Sequence, residues 1–191
     1  MKFFQTELPG VIIFEPSVHS DARGEFMESF RNDFFKEAIG YDINFCQENQ
    51  STSNKGVIRG LHYQAAPFAQ SKLVTVISGK VLDVVVDVRR NSPFFGENIK
   101  VELSDSNKKQ LFIPRGFAHG FKSLQDQTIF SYKVDSYYSK KHDRGIIYND
   151  KDLNIDWEIK NNSEIQISKK DLELPFFANS NDFNYKDNLY E

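Results

Sequence analysis

The run KLVTVISGKVLDVVVDV, from Lys72 to Val88, constrains this chain more than any other segment. It is dense in β-branched residues, which suit extended backbone, and Gly79 interrupts it midway. Both faces of the two resulting strands are apolar. A sheet with one side in water would alternate apolar and polar residues, so these strands must be buried between two packed sheets. The run reads as a hairpin turning at Ser78-Gly79 or Gly79-Lys80. In either register Lys72 shares a face with Asp83 and Asp87. The first makes Asp83 its diagonal neighbour, and the second puts Asp87 directly opposite. An isolated buried ammonium would lose its proton, so a carboxylate partner is expected. The alternative is a strand-end lysine that reaches water.

The rest of the chain continues this pattern. VIIF at Val11 and TIFSYKV at Thr128 are further short runs bounded by turn residues, at a spacing that suggests a sandwich or barrel. One helix is expected over Asp33–Ile39, with Asn32 as N-cap and Gly40 as stop. No repeat or linker divides the 191 residues. They read as one domain over 1–175 followed by a polar segment, 176–191, either laid over the domain or frayed. The 39% of apolar residues is enough for a real core, and eighteen Phe and eight Tyr supply aromatic packing or a wall for ring stacking.

Several classes are excluded by composition. A net charge of -3, with charges dispersed, leaves no footprint for nucleic acid. No stretch approaches the ~18 apolar residues of a membrane span. Gln5, Glu7 and Pro9 break the first residues before a signal sequence could develop. Cys46 is the only cysteine, so neither an intrachain disulfide nor a Cys-based zinc cage is available, and a reducing cytosol is the expected setting.

Of four histidines, His19 in HSDARG and His142 in SKKHDRG read as surface residues. His62 lies in the strand-like VIRGLHYQ, and His119 in IPRGFAHGF, where Pro114 and Gly116 mark a turn. Strict alternation would put Arg59 and His62 on opposite faces. Gly60 between them is the kind of residue that marks a bulge, and a bulge would bring both side chains into one cavity.

RGLHYQ, QSKLV, VLDVVVDVR, NSPFFG, LFIPRGFAHGF, YKVDSYY and ISKKD follow one another from Arg59 to Asp171, with DARGEF and QENQS before them. In order and spacing this set resembles the dTDP-4-dehydrorhamnose 3,5-epimerase family, from near the N-terminus to Pro175. The resemblance implies an all-β, cupin-type double-stranded β-helix with a few short helices. It further implies a homodimer with exchanged N-terminal strands, a dTDP-sugar substrate, and no cofactor or metal.

It also implies roles. His62 matches the proton-abstracting base, Asp171 the carboxylate that orients it, Lys72 the cation at the enolate oxygen, and Tyr132 the acid on the opposite face. Arg23, Arg59 and Lys170 match diphosphate contacts, and His119 a contact to sugar or phosphate. Gln47 and Asn49, on one strand face, match hydrogen-bonding groups. Phe26, Glu28 and Tyr138 match the nucleobase site, with Tyr138 stacking on thymine. Asp143, in HDRGI, stands where the family usually has Glu. Three other readings use the same residues less well. An epimerase acting at carbon 3 or carbon 5 alone would share base and lysine, although Tyr132 with Tyr138 favours double inversion. A metal-dependent cupin oxygenase would need a His-x-His pair, but Gly60 and Gln64 flank His62 at that spacing. A sugar-binding module would have no use for His62, Asp171, Lys72 and Tyr132 together.

Overall fold

A computed structural model describes residues 1–160 and 165–190. Two antiparallel sheets face each other. The first runs in the order β1 (Lys2–Gln5), β2 (Ile12–Glu15), β11 (Gln110–Ile113), β7 (Lys72–Ser78), β13 (Thr128–Val134) and β5 (Gln47–Ser53). The second is β10 (Asn98–Ser104), β8 (Lys80–Asp87), β12 (Phe117–Ser123), β6 (Val57–Gln64) and β14 (Asp143–Gly145). Here β15 (Gln166–Ile167) pairs in parallel with β6. Two smaller ribbons join β3 (Val18–Asp21) to β4 (Gly24–Met27) and β9 (Arg89–Arg90) to β16 (Phe183–Asn184). This is the cupin-type jelly roll that the resemblance implies.

The Lys72–Val88 run is not a hairpin. Its first half, β7, bonds to β11 and β13, while its second half, β8, bonds to β10 and β12 in the opposite sheet. The reason lies in the double apolar faces. Divided between facing sheets, Val74 and Val76 pack with Val81 and Val85 across the interior. Leu73 meanwhile points outward on one sheet, and Val84 and Val86 point outward on the other. Side by side in one sheet, the same residues would need both covers from elsewhere. Gly79 makes the crossing at φ +87, where a Cβ would lie 2.5 Å from Thr128 Oγ1.

Both outer faces are covered. The helix α1 (Asn32–Ile39) lays Phe35 and Ala38 on the first sheet, with Phe35 5.0 Å from Phe14 and 5.2 Å from Phe112. Its N-cap is Arg31 rather than Asn32, because the first helical hydrogen bond runs from the Phe35 N–H to the Arg31 carbonyl at 3.0 Å. Gly40 ends it in the left-handed region, as expected. Leu153, Trp157, Phe177 and Phe183 cover the second sheet over Ile58, Val84 and Val86. Each such buried side chain contributes about 1.5–3 kcal/mol. The segment after Pro175 therefore lies on the barrel, anchored by two buried phenylalanines and the β16–β9 pairing.

Candidate active site

One end of the space between the sheets is filled by the apolar cluster that includes Phe121 and Phe130. The other end is an open cavity of about 640 Å³, ample for a small ligand. The side chains on its walls follow from strand alternation, except on β6. There His62 pairs with His119 and Arg59 with Phe121, so Gly60 and Leu61 together oppose the single residue Gly120. This is the expected bulge. It turns both Arg59 and His62 into the cavity and sends Leu61 to the outer cluster. Only glycine fits at position 60, since a Cβ would stand 2.5 Å from Gly120 Cα at φ +120.

His62 Nε2 lies 2.8 Å from Asp171 Oδ1. Asp171 is held by the short helix α2 (Lys169–Leu172), which is capped where its N–H donates to Ser168 Oγ. Its other oxygen receives the Gly60 N–H at 3.4 Å. Burial pushes the Asp171 carboxyl up, but the hydrogen bond and charge of His62, joined by the Gly60 N–H and the Lys170 charge, leave the group below its ordinary value. Asp171 is therefore an anion at neutral pH, able to orient the imidazole and balance its cationic form.

Lys72 is buried, and its ammonium donates to the His62 carbonyl at 3.2 Å. Burial depresses it to about 8, against the opposing pull of Asp83 and Asp143. A paired carboxylate was expected, but the ammonium bonds to the His62 carbonyl instead, and Asp83 acts on it only as a nearby charge across the interior. Asp87 is engaged by Arg89 at 2.7 Å and Ser92 at 2.6 Å. Asp83 also bonds to His119 Nε2 at 2.9 Å, in a second His–Asp pair that the sequence reading did not anticipate. Burial disfavours both charges there, pushing Asp83 up and His119 down.

Tyr132 reaches the cavity from β13, in the sheet opposite His62, with Asn49 as its neighbour on β5. Burial pushes its phenol above the ordinary value despite the nearby Arg59, so it keeps its proton at neutrality and can donate it. At the mouth, Asp143 accepts hydrogen bonds from Lys170 at 2.6 Å and Tyr138 at 3.2 Å, so the shorter acid reaches both partners directly. Gln47 sits behind the wall, donating to Asn49 Oδ1 and accepting the Tyr138 N–H. Gln64, not singled out from sequence, is buried and holds the same loop through Tyr137 and Ser139. Of the surface histidines, His19 is exposed, but His142 is partly covered, lying 4.7 Å from the Phe68 ring.

Besides Gln47, three matched residues are not brought to this cavity. Arg23, Phe26 and Glu28 lie on or beside the β3–β4 ribbon, which pairs only with itself. Arg23 bonds to Asp21 at 2.6 Å, Glu28 faces Arg31, and Phe26 is 72% exposed. Among the described residues, no three His, Cys, Asp or Glu side chains converge as a metal ion would require. No helix among them is long and apolar enough to cross a membrane.

A family model described as dTDP-4-dehydrorhamnose 3,5-epimerase matches residues 5–179. The chain belongs to this family. It is 49% identical to the dTDP-4-dehydrorhamnose 3,5-epimerase of Shigella flexneri, covering 96% of this chain and 99% of that one. It resembles the dTDP-6-deoxy-D-glucose-3,5-epimerase of Legionella pneumophila, solved with dTDP-4-keto-L-rhamnose, at 40% identity and a TM-score of 0.92. That match covers 97% of this chain and 99% of the other. A 3'-monoepimerase from Streptomyces bikiniensis, solved with dTDP-quinovose, is 33% identical at a TM-score of 0.85, covering 91% and 86%. Membership makes the chain an isomerase of the epimerase type.

Proposed function

We propose that this chain converts dTDP-4-dehydro-6-deoxy-D-glucose to dTDP-4-dehydro-L-rhamnose by inverting carbons 3 and 5. The observation that carries the reading is the placement of donor and acceptor groups on facing walls. His62, backed by Asp171 from α2, lies on one sheet, Tyr132 on the other, and the Lys72 ammonium beside them. The ketone at carbon 4 acidifies the hydrogens on carbons 3 and 5. His62 takes one as a proton, and the electron pair of the broken C–H bond moves onto the carbonyl oxygen. Lys72 holds that enolate in a site where burial makes a fixed charge most effective. Tyr132 returns a proton to the opposite face, the enolate collapses to the ketone, and the phenol recovers its proton through His62 or solvent. The same sequence then runs at the other carbon, so atoms and charge balance over the cycle.

Arg59 and Lys170 serve the diphosphate at the mouth, His119 the sugar, and Tyr138 the base. Exposed Arg23, Phe26 and Glu28 suit the exchanged N-terminal strands of a homodimer, in which one copy's ribbon completes the other copy's site. The cytosol is the matching compartment. The test is incubation with dTDP-4-keto-6-deoxyglucose in deuterium oxide, with NMR reading each carbon. Deuterium at both carbons 3 and 5 with rhamnose-configured product supports the proposal. Deuterium at carbon 3 alone would instead favour single inversion, the activity that the Streptomyces bikiniensis relative's description gives it.

A further inference from the structure

In the C-terminal segment, the hydrogen bonds of Tyr190 lead back to the cavity. The Tyr190 hydroxyl lies 2.8 Å from Tyr41 Oη, 2.9 Å from Ser71 Oγ and 3.1 Å from the Arg115 backbone N. A phenol has one proton and two lone pairs. The Arg115 N–H and the Tyr41 hydroxyl fill the lone pairs, so the remaining proton is donated to Ser71. Arg115 locks the arrangement, with its guanidinium 4.9 Å from the Tyr190 ring centre and Nη1 donating to the Leu189 carbonyl at 2.6 Å. The same guanidinium bonds to buried Asp135 at 3.1 Å, and Asp135 accepts the Ser71 N–H at 2.6 Å. Ser71 is thus gripped at its backbone and its side chain, and the next residue is Lys72. Asp135 likewise follows β13, which carries Tyr132.

We infer that Tyr190 is a positioning residue, acting through Ser71 to hold the start of β7 so that the Lys72 ammonium stays at the reacting oxygen. The inference rests on the role proposed for Lys72. The charged and titratable groups around that ammonium are Asp83 on β8, Asp143 on β14, His62 on β6 and His119 on β12. None belongs to the C-terminal segment, so Tyr190 acts by placement and not by charge. Its three bonds also explain why a segment beyond the end of the family match is anchored at its last aromatic.

The test compares wild type with Tyr190→Phe, which keeps the ring and removes the hydroxyl, and with Ser71→Ala, which removes the same contact from the other side. The full chain, labelled with [13Cε]-lysine, is titrated by NMR, with the Lys72 signal assigned through Lys72→Met. Both variants should release Lys72 from part of its burial and move its titration upward from about 8. They should lower kcat at both carbons by about tenfold with KM little changed, inside the ~10²-fold that a 1 Å misplacement can cost. The double variant should be no worse than either single one, since both break one contact. Unchanged Lys72 titration and kcat in either folded variant, with only a lower Tm, would overturn the inference. If wild type exchanges no substrate hydrogens, the proposed function fails instead, and the NMR titration still decides the role of Tyr190.

Discussion

At the scale of single residues, Lys72 joins activity to a cost in stability. Its ammonium titrates near 8 in the fold, below the ordinary value for lysine of ~10.4. Between those values the unfolded chain holds a proton that the folded chain has lost, so stability rises with pH across that window. At neutral pH the buried cation therefore costs on the order of a few kcal/mol. Lys72→Met should raise Tm at pH 7 while cutting turnover at both carbons together by ~10²–10³-fold. A loss confined to one carbon would show that Lys72 is not the shared enolate partner. In wild type, kcat/KM should fall as pH rises through about 8, and a flat profile up to the lysine range would contradict the assignment. His62→Ala should abolish exchange at both carbons, a loss of ~10²–10⁴-fold, with nucleotide binding retained. Activity should also survive exhaustive chelation, since the proposed role of Lys72 is the part a Lewis acid would play. Inactivation reversed by one added metal would argue otherwise.

At the scale of elements, the two informative glycines were legible to different degrees. Gly60 could be read from sequence because a single glycine in a strand between two polar residues has few uses, and the bulge gave the parity that puts Arg59 and His62 together. Gly79 was misread because a hairpin turn and a crossing between sheets look alike over two residues. The choice depends on which distant strands arrive alongside, here β11 and β13 on one side and β10 and β12 on the other. The burial of Lys72 was legible, and facing sheets put Asp83 near enough to act on its charge, but its hydrogen bond goes to the His62 carbonyl and not to a carboxylate. The His119–Asp83 bond had no local signal, since it depends on the pairing of β12 with β8. Gly60→Ala tests the bulge. Its Cβ would meet the backbone of Gly120 and His119 at 2.5 and 2.8 Å, in a conformation that by itself costs about 1–3 kcal/mol. Denaturant melts should show at least that loss, with exchange reduced further because His62 is displaced. A variant as stable as wild type would mean the close approach can relax.

At the scale of the whole molecule, the two sheets do what neither can do alone, since inversion needs a proton taken on one side and returned on the other. The β6 wall offers His62, backed by Asp171 from α2, and the β13 wall offers a half-buried, protonated Tyr132. In the proposed homodimer, the ribbon bearing Arg23 and Phe26, with Glu28 beside it, extends the same logic to a second copy. Arg23→Ala should weaken nucleotide binding although Arg23 lies outside its own chain's cavity, and unchanged affinity would remove it from the site. The facing-wall claim itself is tested most directly by Tyr132→Phe, which preserves the ring and removes only the proton donor. With dTDP-4-keto-6-deoxyglucose in deuterium oxide, the variant should still exchange substrate hydrogens through His62. It should form far less doubly inverted product, with carbon 5 the more affected centre and a carbon-3 epimer accumulating. Formation of the rhamnose-configured ketosugar at the wild-type rate would contradict the account, because the returning proton would then come from another group or from water.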